Sequence, residues 1–461
     1  MFNAAIYTER RAELRRRLGS GLVLLPGHRE SPMNYRDNVY PFRQDSTFLY
    51  FFGLDQPDLV GLLDLDAGED HLFGDDPSLH DIVWTGLLPT LAERAVACGV
   101  SRTAPLAQLP GRIAEALAKG RIVHTLAPFR GETVLLLAEL LSCTPAEAAA
   151  RASRPLTEAV VALREVKSDA EVAEIEAALA LTARMHQAAF QATRPGVVER
   201  EVVGAMEGLM RAEDRQLAYP VIFSRRGEVL HNHHHDQKLE VGDLVVNDTG
   251  CSSRFGYASD ITRTLPVGGR FSPLQRELYD VVLEAQQSVI RALRPGVPHL
   301  DLHKQACRVL VEGLKAHDCF KGDPADIVES GAYAIVFQCG LGHALGLDVH
   351  DMEALGEDLV GYGEGFTRSS LFGLKSLRLA KPLKAGMVIT TEPGLYFIPH
   401  QLDQWRAEGR FTDFIDYDAL DRFRGFGGVR IEDDVLITED GARVLGPAIP
   451  RTAEEVEAAM A

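Results

Sequence analysis

Two segments of this chain read as copies of each other, and each carries an acid where an apolar run stops. LEVGDLVVNDTG at 239–250 matches LKAGMVITTEPG at 383–394, so Asp248 and Glu392 hold equivalent places, each two residues before a glycine. The duplication extends further. RPGV recurs at 194–197 and 294–297, AYPVIF at 218–223 answers AYAIVF at 332–337, and a second acid trails each copy, Asp260 in YASDITRT and Glu432 in VRIEDDVLIT. A repeated unit cannot bury its apolar face alone and packs against its twin, which predicts that these carboxylates converge about a pseudo-twofold axis. Clustered like charges raise one another's pKa or demand counter-charge, and a divalent cation is the most compact counter-charge for so many oxygens. Asp before Thr-Gly or Glu before Pro-Gly also makes a good turn, but turn chemistry explains one such acid better than a matched pair.

Between the halves lies FQCGLGHALGLDVHD, with His343 and His350 seven residues apart and glycines at 340, 342 and 346 that let backbone approach a neighbour closely. An imidazole beside a carboxylate cluster is a natural metal ligand. The expected ligand set is therefore Asp248, Asp260, His343, Glu392 and Glu432. Hard oxygens with a single nitrogen favour manganese, with cobalt or zinc as the other divalent candidates, over a thiolate-selected metal. Five ligands, two of them able to bridge, suit two ions about 3.5–4 Å apart that hold a water as hydroxide and polarise a carbonyl.

These residues need rigid elements beneath them. A domain boundary fits near 155–168, where Ser168 stands three residues before Glu171 in the spacing that starts a helix. Residues 1–160 read as a smaller α/β domain in which apolar runs at 21–27, 59–66, 71–73 and 121–127 alternate with helical stretches, predicting a parallel or mixed sheet. Residues 161–461 read as two rounds of helix, helix, then antiparallel strands. The strands are expected near 219–224, 243–249 and 256–265 in the first round and 332–338, 386–391 and 428–438 in the second. Packing the rounds together gives an α+β domain on a curved antiparallel sheet, with helices outside and acids inside.

Bulk properties narrow the function. At 461 residues the chain exceeds the ~250–300 residues at which single cores stop growing. A net charge of −18 argues against nucleic acid, which needs clustered Lys and Arg. No run reaches the ~18 apolar residues of a spanning helix, and the basic N-terminus lacks an apolar stretch behind it, so no membrane partner is expected. Six cysteines without a CxxC pair suggest free thiols and a cytoplasmic protein.

The stretches DTGCSSRFGYASDITRTLPVGGRFSPLQRELYDVVLEA, GLGHALGLDVHD, TTEPGLYF and RFRGFGGVRIEDDVLIT resemble the prolidase and aminopeptidase P group of dinuclear metallopeptidases, whose catalytic domain has the duplicated pita-bread fold. YPFRQDSTFLYFFGL resembles the segment opening that group's first domain. The resemblance implies that Asp260 and Glu432 bridge the ions and that Glu392 also shuttles a proton to the leaving nitrogen. It further implies that His231 and His350 hold substrate and stabilise the tetrahedral intermediate, and that Arg430 supports the site. Arg378 matches the arginine that binds the C-terminal carboxylate of a dipeptide in prolidases, a bidentate task suited to a guanidinium. The 40-residue interval from Glu392 to Glu432 is also similar to the prolidase branch.

Two departures stand out. Cys339 occupies a position where the group usually has His, and the loop between Asp248 and Asp260 is one residue longer than usual. His233, His234 and His235 have no match in the group and read as an exposed loop. The expectation is thus a dinuclear metal-dependent Xaa-Pro dipeptidase acting on short proline-containing peptides through a metal-bridging hydroxide, with the first domain restricting access and contributing to a homodimer. The alternatives are an aminopeptidase P acting on longer Xaa-Pro peptides, a non-catalytic binding protein on the same scaffold and, third, a creatine-hydrolysing relative.

Overall fold

The computed structural model describes residues 1–461. The chain forms two compact units. One comprises Met1–Arg164 with Met352–Gly356, the other Glu165–Asp351 with Glu357–Ala461.

In the first unit a five-stranded sheet has the order Arg102–Ala104, Glu69–Phe73, Val60–Asp64, Leu22–Pro26, Val123–His124. Its three central strands pair antiparallel and both edges pair parallel, so the sheet is mixed. Leu22, Leu24 and Leu62 pack against Ile113 and Leu137 from the covering helices. The aromatic segment Ser46–Phe52 is a buried helix. Asp45 caps it by accepting from the Phe48 N–H at 2.8 Å, and Gly53 ends it at φ 66°.

The second unit opens with the helix Asp169–Ala192. The Glu171 carboxylate accepts from the Ser168 N–H at 3.0 Å and from the Tyr257 hydroxyl at 3.0 Å, so the helix start is also tied to the loop before Asp260. The helix stops before Pro195-Gly196, and Glu199–Ala212 packs back on it. Together they cover the antiparallel strands Ile222–Ser224, Leu244–Asp248 and Thr262–Pro266, with Met185, Ala189, Val202 and Met206 set against Phe223 and Val245. The second round repeats this. Helices Pro273–Ala292 and His299–Lys315 cover Val388–Thr391, Asp433–Ile437 and Ala442–Val444, with Val289, Leu302 and Ala306 against Ile389 and Val435. A short ribbon pairs Gly394–Tyr396 with Gly428–Arg430.

The two rounds are cross-stitched. The Glu432 N–H donates to Thr262 O at 3.1 Å, and the Arg430 N–H donates to Thr264 Oγ1 at 3.0 Å while that hydroxyl donates back to Arg430 O at 2.9 Å. The antiparallel sheets, covering helices and duplicated plan are those of the expected pita-bread domain.

Three strand boundaries differ from the sequence reading. AYAIVF is a 3₁₀ turn over Ala332–Ile335, because Gly331 at φ 85° caps the helix Pro324–Ser330 and reverses the chain. Its twin AYPVIF carries Pro220, which disfavours helical backbone at Tyr219, and goes on to the strand Ile222–Ser224. The run at 256–265 becomes strand only at Thr262, and the run at 428–438 breaks at Ile431–Glu432. Asp260 and Glu432 thus sit at irregular backbone beside strand ends, free to turn inward.

Gly250 crosses Ser259 so closely that a Cβ would lie 1.8 Å from Ser259 O. Gly250→Ala therefore forces apart the two chain segments carrying Asp248 and Asp260. It should cost about 1–3 kcal/mol, measured as a lower urea midpoint, and an unchanged midpoint would show that the crossing relaxes freely.

Candidate active site

A cavity of about 500 Å³ opens within the second unit, and all nine residues singled out from the sequence line it: Asp248, Asp260, His343, Glu392, Glu432, His231, His350, Arg378 and Arg430. Asp248 ends its strand opposite Thr262, and Glu392 stands one residue past Thr391, which pairs with Asp433. The duplicated strand ends thus deliver one acid each, and the adjoining breaks deliver Asp260 and Glu432.

At the centre, Asp260, His343 and Glu432 each present a potential ligand atom, all within 4.8 Å of one another. His343 Nε2 lies 3.4 Å from Asp260 Oδ2 and 3.5 Å from Glu392 Oε1. Its Nδ1 faces Ala344 O at 3.1 Å, the kind of contact that turns the other ring nitrogen toward a metal. Gly342 makes this possible. A Cβ there would lie 2.2 Å from Thr390 O, so only glycine lets the imidazole loop run against the strand leading to Glu392.

The electrostatics follow from crowding. Burial pushes Glu392 up to about 7, helped by the Asp260 and Asp248 charges and opposed by His343 and Arg430. Burial, then the charges of Asp260, Glu392 and Asp248, drive Glu432 well above the ordinary carboxylate range. Its Oε2 accepts from Thr262 Oγ1 at 2.7 Å, while Oε1 is buried with no hydrogen-bond partner. Burial lowers His343, but its bond to Asp260 and the Glu392 charge outweigh that and raise it to about 9. One guanidinium answers this excess of negative charge from within the cluster. Arg430, 4% exposed, donates to Asp248 Oδ2 at 2.5 Å, to the Tyr396 hydroxyl at 3.0 Å and to Thr262 Oγ1 at 3.0 Å.

Two participants escaped the sequence reading. The Tyr219 hydroxyl lies 2.6 Å from Asp248 Oδ1 and 2.5 Å from Asp260 Oδ1. A phenol has one proton, so it satisfies one of these oxygens and leaves the other needing a proton or a cation. Tyr219 stands in the repeated AYPVIF, a signal that could have marked it, but its twin Tyr333 faces His303 instead, 3.1 Å away. Asp434 lies behind Asp260 and accepts from its N–H at 3.0 Å. It is fully buried with Oδ1 unpartnered.

The remaining residues form the wall. The His350 ring centre is 4.3 Å from that of His343, and burial, with His343 and Arg378 nearby, depresses His350 to about 2. Partial burial, with Arg430 nearby, lowers His231 as well. Both imidazoles are neutral at neutral pH. His233 and His234 are exposed, as expected, and His235 partly so, but His233 also borders the cavity with its ring 6.5 Å from that of His231. Burial lifts the Cys339 thiol to about 12, so it faces the cavity uncharged.

The orphaned Glu432 oxygen, the single Tyr219 proton shared between two acids and an oxygen-rich donor set with one imidazole together fit divalent metal. Such a site can activate water and polarise a carbonyl. The family model for metallopeptidase family M24 matches residues 173–439, and that for the N-terminal domain of aminopeptidase P matches residues 7–124. The chain belongs to metallopeptidase family M24. It is a hydrolase, and its buried acidic cluster supports the use of divalent metal. The human Xaa-Pro dipeptidase is 32% identical to it over 465 residues, covering 95% of this chain and 88% of the human protein. The Xaa-Pro aminopeptidase of Escherichia coli K12 is 32% identical over 438 residues, covering 92% and 90%. The zinc-substituted E. coli aminopeptidase P in complex with product superposes with a TM-score of 0.81 at 29% identity, covering 100% of this chain and 98% of that one.

The shifts predict how the M24 site responds to pH without metal. Glu392 ordinarily titrates near 4.5 and here near 7, so over that interval the folded metal-free protein holds a proton the unfolded chain has released. Stability falls as pH rises through it. His343, raised from 6.5 to about 9, contributes stability that is full below 6.5 and lost as pH rises through 9. Calorimetry of the chelated protein from about pH 5 to about pH 9 should show a steadily falling midpoint, with added Mn²⁺ restoring most at the alkaline end, where ligands are already deprotonated. A midpoint that rises with pH would contradict this assignment of buried acids.

Proposed function

We propose that this protein is a dinuclear metal-dependent Xaa-Pro dipeptidase. The single observation that carries the reading is the convergence of acids from both duplicated strand ends on His343, in a cavity that Arg378 also lines. The proposed metal ligands are Asp248, Asp260, His343, Glu392 and Glu432, and manganese suits the oxygen-rich set best. When bound, the metal pair supplies Lewis acidity toward the scissile carbonyl and toward water.

The protein's own residues do the rest. Glu392, beside His343 Nε2 on the cavity wall, stands where a carboxylate can accept a proton from the attacking water and return it to the leaving nitrogen. The neutral imidazoles of His231 and His350 are suited to hydrogen-bond the substrate and the oxygen on which charge develops. Arg430 orients Asp248 through their buried ion pair. Arg378 would hold the substrate's C-terminal carboxylate and so set peptide length. Proline in the leaving position has no N–H to satisfy, which suits a pocket built around a ring.

Aminopeptidase P activity on longer peptides is the second reading, favoured by the superposition on the E. coli enzyme. The dispersed free cysteines support a cytoplasmic protein. A homodimer is proposed on the resemblance and is measurable by light scattering.

Comparing Gly-Pro and Ala-Pro with Xaa-Pro-Pro tripeptides separates the readings. Arg378→Ala should lower kcat/KM for dipeptides about 10–100-fold, the loss of a charge-assisted hydrogen bond, and affect tripeptides less. Equal cleavage of both classes, with no effect of Arg378→Ala, would sink the dipeptidase reading. Chelation should abolish hydrolysis, and Mn²⁺ should restore it better than Zn²⁺ or Co²⁺. Full activity after exhaustive chelation would remove the metal from the proposal.

A further inference from the structure

The residues opening the second unit reach into the wall of the site from outside the cavity. Lys167 Nζ donates to Asp351 Oδ2 at 3.0 Å, with the two side chains 2% and 1% exposed. A buried ion pair holds no general stability advantage over well-packed apolar residues, so its position calls for a reason. Asp351 directly follows His350 and closes the loop that carries both imidazoles. Its N–H donates to Ala344 O at 2.9 Å, and its Oδ1 accepts from the Asp348 N–H at 3.3 Å. Gly346 leaves room for the carboxylate, since a Cβ there would lie 2.4 Å from Asp351 Oδ2.

The other end of the tie is equally specific. The Lys167 N–H donates to Gly386 O at 2.8 Å, and the Gly386 N–H donates to Ile437 O at 2.8 Å, in the turn from which the strand Val388–Thr391 runs to Glu392. Glu165, two residues earlier, accepts from Lys384 Nζ at 2.6 Å and pairs with Lys381 beside the same turn. One short segment thus grips both the loop of His343 and His350 and the root of the Glu392 strand. Neither Lys167 nor Asp351 lines the cavity.

We infer that Lys167 and Asp351 are a positioning pair for the active site, fixing the His343–His350 loop in register with Glu392. This rests on the roles proposed above for those three residues. Losing the ammonium removes no group that faces the cavity but frees the loop to shift, so the alignment of His343 and His350 with Glu392, on which chemistry depends most steeply, is what suffers.

The test compares Lys167→Met and Lys167→Arg with the full-length wild-type protein, following Xaa-Pro dipeptide hydrolysis and, separately, Mn²⁺ affinity by electron paramagnetic resonance. Lys167→Met should lower kcat about 10–100-fold and raise KM less, and should weaken Mn²⁺ binding about tenfold, as loss of a ligand-orienting contact does. Lys167→Arg should recover most of both. If Lys167→Met fails to fold because the buried Asp351 carboxylate loses its counter-charge, the double variant Lys167→Met with Asp351→Asn removes both charges and should show the same two losses. A folded variant with wild-type kcat and Mn²⁺ affinity, or an arginine variant no better than methionine, would overturn the inference. Should the wild type cleave no Xaa-Pro dipeptide, the proposed function fails, and Mn²⁺ affinity still decides the role of the pair.

Discussion

Mutual repulsion among buried carboxylates is the constraint around which the second unit is arranged. Asp248, Asp260, Glu392 and Glu432 share one cavity, with Asp434 directly behind. Two like charges about 4 Å apart cost on the order of 4 kcal/mol at an effective dielectric of about 20, while a whole domain is stable by only about 5–15 kcal/mol. Arg430 and a protonated His343 offset part of this. The remainder must be met by retained protons or by bound cations, which is why Glu392 and Glu432 are driven upward and why the site suits a metal pair.

The fold answers the same constraint mechanically. Acids that repel stay together only if the backbone beneath them cannot spread, and here each is fixed at or beside a strand end over its own helix pair. Threonines do much of the local work. Thr262 accepts from Arg430 and donates to Glu432, Thr264 exchanges hydrogen bonds with the Arg430 backbone, and Thr390 accepts from the His343 N–H at 3.1 Å. Small hydroxyls there leave the cavity open while satisfying groups that would otherwise be buried without partners.

Much of this was legible in the sequence because duplication converts position into evidence. The pairing of Asp248 with Glu392, the two helix pairs and the strands at 244–248 and 388–391 all follow from aligned repeats and apolar runs. What stayed hidden depends on divergence between the copies. Tyr219 and Tyr333 occupy matching places in sequence, yet one is bonded to two acids and the other to a histidine. Pro220 in one copy and Gly331 before the other send the backbone different ways, a tertiary outcome that shared hydrophobicity conceals. Asp434 is one of three adjacent acids in VRIEDDVLIT, and only its placement against the Asp260 N–H reveals its role. Nothing in the sequence sets Lys167 apart, because its partner Asp351 is brought to it only across the fold.

The stitching of Arg430 and Glu432 to Thr262, Thr264 and Asp248 makes the centre a joint product of both copies. The copies are not interchangeable, since one holds a tyrosine at the acids while its twin faces a histidine, and only one contributes an arginine. A chain severed between them would therefore yield two complementary fragments, and no self-pairing of either could rebuild the centre.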